Sequence, residues 1–144
     1  MVKRVTPPEA AALLEDGWVY LDVRSIPEFD VGHPAGAINV PLLHLDAGRM
    51  RQNPDFERVM TASFPKPTRL VVGCQVGGRS LQAAALLEAA GFTNVIDMRG
   101  GLDGERDAFG RVTCAGWADS KLPVETTAPP ERTYAALLSS RSRP

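Results

Sequence analysis

A single α/β domain, built on a central and mostly parallel sheet of about five strands with helices on both faces, is the fold this sequence predicts. Three observations lead there. Short apolar runs that read as strands alternate along the chain with segments of helical period, the order expected when parallel strands are joined by helical crossovers. The run Arg69–Gly73 is continuously apolar after its first residue, as in a buried strand. The chain has 144 residues, 44% hydrophobic and 23% charged, which suits one globular domain with one continuous core.

The elements follow in order. Thr6-Pro7-Pro8-Glu9 is a capping box with proline at the first helical position, and Gly17 supplies a stop, so a helix is predicted from about Pro7 to Asp16. Trp18 to Val23 reads as a strand. Ser25-Ile26-Pro27-Glu28 is a second capping box and opens a short helix. Ile38 to Val40 is a brief strand, and Asn53-Pro54 starts a helix that carries Phe56, Val59, Met60 and Phe64 on one face. Strands are predicted at Arg69 to Gly73 and Asn94 to Asp97. Between them, Ser80 to Ala90 forms a helix, with Leu81, Ala84, Ala85 and Glu88 at helical spacing. The domain is placed at residues 1–123. Residues 124–144, proline-broken and polar, are predicted to be an extended or disordered tail, in which Tyr134, Leu137 and Leu138 offer at most one docking turn.

Between the strand ending at Gly73 and the following helix lies Cys74-Gln75-Val76-Gly77-Gly78-Arg79-Ser80. A strand-to-helix turn aims the unpaired N–H groups of the helix start, here Gln75 through Ser80, together with the positive end of the helix dipole, at the space above Cys74. That space suits an anion, and a thiolate is one, so Cys74 is predicted to be a ready nucleophile. Gly77 and Gly78 let the backbone curl and leave room for substrate. In an open parallel sheet ligands bind beyond the carboxyl ends of the strands, where Asp22, Arg24 and Cys74 all fall.

The Cys-x4-Arg loop from Cys74 to Arg79 resembles the active loop of the rhodanese-like family of sulfurtransferases. Leu21-Asp22-Val23-Arg24 and Gly32-His33-Pro34-Ala35-Gly36-Ala37-Ile38-Asn39-Val40-Pro41 are similar to two upstream motifs of that family, and Gly100-Gly101 with Trp117 to a downstream one. The resemblance runs from about Val5 to Leu122. It implies a single-domain, thiosulfate-type sulfurtransferase that moves a sulfane sulfur through a Cys74 persulfide, with ping-pong kinetics. The implied substrate-binding residues are Gln75, Val76, Gly77, Gly78, Arg79, Ser80 and Arg24. The implied partners are a small-molecule sulfur donor and an acceptor such as cyanide, a cellular thiol, or a thioredoxin-like or sulfur-carrier protein. Two departures stand out: Pro34-Ala35 replaces the usual Ile-Pro, and the fourteen residues 103–116 form an extra loop before Trp117. Gln75 and Val76 are also neutral where many thiosulfate-using members carry a basic residue.

Other readings are weaker. Cysteine-dependent phosphatases use a loop one residue longer, sized for phosphate. Gly73, Gly78, Arg79 and Ser80 imitate a phosphate-binding loop with arginine in place of its lysine, and a planar guanidinium is a poor substitute there. A non-catalytic rhodanese-like binding module, or a redox sensor, is the alternative from another class. For the sensor, Cys114 in the extra loop is the candidate resolving thiol. Asp22 and Arg24 alternate on one strand face and read as an ion pair, with Arg24 adding positive potential near the loop. His33 and His44 are assigned to packing, and Trp117 to the core or to the wall of the entrance. Two cysteines and two widely spaced histidines match no zinc pattern, so neither metal nor cofactor is expected. A net charge of −1 gives no general attraction to nucleic acid or membrane. No apolar run is long enough to span a bilayer, and Met1-Val2-Lys3-Arg4 leads straight into a helix signal, which predicts a cytoplasmic location.

Overall fold

The computed structural model describes residues 2–141. In chain order the elements are β1 (Lys3–Val5), α1 (Pro7–Glu15), β2 (Val19–Asp22), α2 (Ile26–Val31), β3 (His33–Pro34), β4 (Ile38–Asn39), β5 (Leu43–Asp46), β6 (Arg49–Gln52) and α3 (Phe56–Ser63). They continue with β7 (Arg69–Gly73), α4 (Gly78–Ala89), β8 (Asn94–Met98), β9 (Glu105–Arg106), β10 (Val112–Cys114), β11 (Val124–Glu125), a 3₁₀ turn at Pro130–Arg132, and α5 (Tyr134–Arg141).

The central sheet has five strands in the order β1-β8-β7-β2-β4, and every neighbouring pair is parallel. Helical crossovers produce this arrangement, because parallel neighbours cannot be joined by a tight hairpin. Both faces are covered. Leu21, Leu70 and Val72 point to one side and pack with α3, α4 and Tyr134 of α5. Tyr20, Val71 and Ile96 point to the other and pack with Ala10 of α1, Phe29 of α2 and Trp117. Alternation within a strand that is buried on both sides explains why β7 reads as one unbroken apolar run.

Local chemistry built the first two helices as expected. Glu9 N–H donates to Thr6 Oγ1 at 3.4 Å and Thr6 N–H to Glu9 Oε1 at 2.9 Å. Ser25 N–H and Oγ both donate to Glu28 Oε1, at 3.2 and 2.8 Å. In α3, Phe56, Val59 and Met60 are buried as the spacing requires. In α4 the buried face is Ser80, Ala83, Ala84 and Leu87, whereas Leu81 is exposed. This corrects the predicted face by part of a turn. Leu81 misled the periodicity, since it stands in solvent while small alanines meet the sheet.

Four features were not legible beforehand. β1 is too short to carry a periodic signal, and it exists because Lys3–Val5 pairs in register with Ile96–Met98. β5 and β6 form a hairpin whose turn residues, Ala47 and Gly48, have φ of +51° and +78°. The extra loop contains a second hairpin, β9–β10. Residues 124–141, expected as an extended tail, instead dock. β11 pairs antiparallel with β3, Arg132 bridges to Glu125, and Tyr134 is buried with its hydroxyl accepting from Asn53 Nδ2 at 3.0 Å. One aromatic ring buried against the core outweighs the polar composition around it. Residues 142–144 of the predicted tail lie outside the described residues. Among the described residues no helix is long and apolar enough to cross a membrane.

Candidate active site

Cys74 follows directly on β7, beyond the carboxyl end of the sheet, and α4 begins four residues later at Gly78. Gly77 is the residue before the helix and has a φ of +110°, a conformation that excludes most side chains. This twist turns Gly77 N–H onto Cys74 Sγ at 3.1 Å, and Ser80 N–H joins it at 3.3 Å. The Ser80 hydroxyl donates back to Gly77 O at 3.2 Å and holds the curl. Two main-chain donors and the positive end of a 12-residue helix therefore converge on one sulfur, an arrangement that stabilises anionic sulfur. The cysteine is only 1% exposed and forms the floor of the site, while Val76 and Gly78 stand exposed at its rim.

The neighbouring side chains are more fully committed than their types imply. Arg24, 2% exposed, donates from Nε and Nη2 to Asp22 at 2.8 to 3.2 Å, from Nη2 to Gly32 O at 2.6 Å, and from Nη1 to Gln75 Oε1 at 2.8 Å. Every nitrogen of the guanidinium is engaged, so Arg24 braces the loop instead of offering a free cation to substrate. The Gln75 side chain is spent the same way, since its Nε2 donates to the Asp103 carboxylate. Arg79 makes a bidentate pair with Glu28, at 2.7 and 2.9 Å, and ties the start of α4 to the start of α2. Arg24, Arg79 and Gln75, read from sequence as substrate-binding, thus have their side chains engaged within the protein in this structure, while the Gly77 and Ser80 amides face Sγ.

Glu28 was visible in the sequence only as a capping residue, and its second duty needed the tertiary structure. The Arg79 guanidinium holds its carboxyl down to about 2. A carboxyl depressed in the folded state contributes stability that is present above its unfolded value near 4.5 and is lost as pH falls toward 2. Between pH 4.5 and 2 the wild-type protein should therefore lose stability more steeply than Glu28→Gln, measured by urea unfolding at each pH. Parallel slopes would disprove the coupling.

The turn after β8 seals the back of the loop. Leu102 N–H donates to Cys74 O and Asp103 N–H to Gln75 O, both at 2.9 Å. Gly101 is required at this contact, because a Cβ there would stand 2.5 Å from Cys74 O. Trp117 N–H returns to Gly101 O at 2.9 Å, so the β9–β10 hairpin is looped out between two fixed points. Trp117 belongs to the core, edge-to-face with Tyr20 at a centroid distance of 5.8 Å. His33 packs on Phe29 with ring centroids 3.7 Å apart. Cys114 Sγ faces the carbonyl oxygens of Arg99 and Ala115 at 3.8 and 3.7 Å, and both cysteines are free thiols. Two further residues lie beside the loop: Arg4, whose Nη2 lies 3.6 Å from the position a Gly77 Cβ would take, and buried Asp97, which pairs with Arg4 at 2.9 Å.

A five-stranded parallel sheet presenting a cysteine in a tight six-residue loop at a helix N-terminus defines the class: an α/β protein that holds a loop cysteine beyond the carboxyl end of its sheet. Residues 6–107 match the rhodanese-like domain family, and the chain belongs to that family. It is 42% identical over 113 residues to "Thiosulfate sulfurtransferase 16, chloroplastic" of Arabidopsis thaliana, covering 78% of this chain and 84% of that protein. It is 39% identical over 116 residues to "Senescence-associated protein DIN1" of Raphanus sativus, covering 81% of this chain but only 57% of that longer protein. Among solved structures, Rv0390 from M. tuberculosis superposes with a TM-score of 0.72 at 27% identity, covering 88% of this chain and 98% of that one.

Proposed function

We propose that this protein is a thiosulfate-type sulfurtransferase that carries sulfane sulfur as a persulfide on Cys74. The observation that supports this reading most directly is the pair of N–H donors from Gly77 and Ser80 on Sγ. The thiolate attacks the outer sulfur of the donor, a new S–S bond forms, the donor's S–S bond breaks, and with thiosulfate the electron pair departs on sulfite. An acceptor nucleophile, either cyanide or a thiol, then attacks the outer sulfur, and the Cys74 thiolate leaves in its original state. Burial serves this chemistry. Sγ itself is nearly inaccessible, but a persulfide extends about 2 Å further out and brings the transferable atom toward the rim. A compact loop closed over one sulfur suits this single-atom cargo.

The similarity to a protein named as a thiosulfate sulfurtransferase supports the same donor class. Cys74→Ser should retain the wild-type unfolding temperature to within a few degrees yet show no cyanide-dependent release of thiocyanate from thiosulfate. Incubation of the wild type with thiosulfate should add one cyanide-labile sulfur that peptide mapping places on Cys74. Turnover by the serine variant, or an adduct elsewhere, would refute the proposal, and hydrolysis of a phosphate ester by the wild type would point to the phosphatase reading instead.

A further inference from the structure

Three guanidinium groups lie beside the Cys74 loop, and two are already neutralised at close range: Arg24 by Asp22 and Arg79 by Glu28. Arg4, on the edge strand β1, is different. Its Nε donates to Asp97 Oδ2 at 2.9 Å, and among the described residues Nη1 and Nη2 have no hydrogen-bond partner. Its side chain is 35% exposed. Nη2 lies 3.6 Å from where a Cβ would stand on Gly77, the residue whose N–H caps Sγ at 3.1 Å. Buried Asp97 anchors only the near edge of the guanidinium, and Glu105, the other carboxylate whose charge Arg4 feels, is held by Arg99 at 2.8 Å. Gln75 and Val76 add no charge to the loop.

We infer that Arg4 is the specificity-determining cation of this site, and that its unpaired guanidinium edge beside Gly77 selects a doubly charged sulfur donor, thiosulfate, over a singly charged one such as methanethiosulfonate. The inference rests on the sulfur-transfer reading and adds to it the charge class of the donor. Coulomb energy scales with the charge of the ligand, so the dianion gains twice the free energy of the monoanion and its fold-change is the square of the monoanion's. The effect is screened by salt, because the group is partly exposed.

The test compares KM and kcat for both donors in the wild type, Arg4→Gln and Arg4→Lys. Arg4→Gln should raise KM about tenfold for thiosulfate and about threefold for methanethiosulfonate, with kcat changed by less than about twofold, and Arg4→Lys should recover part of the loss. The wild-type KM for thiosulfate should climb with ionic strength more steeply than that of Arg4→Gln. An unchanged KM in folded Arg4→Gln, or an equal rise for both donors, would overturn the inference. Thiosulfate affinity measured by calorimetry in Cys74→Ser and in Cys74→Ser/Arg4→Gln supplies a readout that needs no turnover. A tenfold loss there upholds the role of Arg4 even if the wild type fails to load sulfur, which would sink the sulfur-transfer reading alone. Equal affinities overturn the role whatever the activity.

Discussion

Arg24→Met should destabilise the protein by about 3 to 5 kcal/mol, the range for removing one partner of a buried ion pair. Asp22 is 1% exposed, and without the guanidinium its carboxylate remains in the interior with no cation to offset desolvation. Gly32 O and Gln75 Oε1 lose their donors at the same time. Removing both charges is a different experiment. The double variant Asp22→Leu/Arg24→Met should recover much of the loss, because apolar replacement of a whole buried pair is often close to neutral. Urea unfolding of the four proteins in the cycle measures this directly. If the double variant is as unstable as the sum of the single ones, the pair is not what makes Arg24 necessary. Sulfur transfer in the refolded double variant separates two roles: a brace predicts substantial residual activity, and a substrate ligand predicts none.

Gly73→Ala should cost about 3 kcal/mol, at the upper end of ordinary overpacking. Gly73 closes β7 immediately before the cysteine, and a Cβ there would stand 1.8 Å from Tyr20 Oη and 2.4 Å from Cζ. The ring has nowhere to go, being 2% exposed and set edge-on against Trp117. Burial also pushes the Tyr20 hydroxyl well above its usual range, so it stays neutral beneath the loop. Tyr20→Phe removes Oη but leaves the ring carbon in the way, and should relieve little of the damage. Tyr20→Leu removes both atoms, so Gly73→Ala/Tyr20→Leu should be clearly less unstable than the sum of its single variants. Strict additivity in thermal or urea unfolding would show that the two residues do not collide. Because the backbone of Gly73 leads into Cys74, Gly73→Ala should also lose sulfur transfer under conditions where it remains folded.

These residues show how far the linear sequence reaches. The two capping boxes, the apolar run of β7 and the glycines after Cys74 act through neighbours no more than a few positions away, and their outcomes followed from spacing. The buried face of α4 did not, because alanines at 83 and 84 meet the sheet closely while bulkier leucines at 81 and 86 face solvent. The docking of residues 124–141 was equally hidden. It depends on Tyr134 meeting Asn53 and on Glu125 meeting His33 and Arg132, partners that are mostly far apart along the chain.

The division is sharpest at the loop. Sequence alone determined that a helix start faces Cys74, since a helix start fixes the direction of its own first N–H groups and needs no distant partner to aim them. Only the tertiary structure decided what each arginine does, because a guanidinium is defined by whichever carboxylate lies within reach. Asp22 takes Arg24 and Glu28 takes Arg79, while Arg4 keeps donors to spare because Asp97 meets it on one edge only. Charges act through space over several ångströms, and no spacing along the chain reveals which of them end up neighbours.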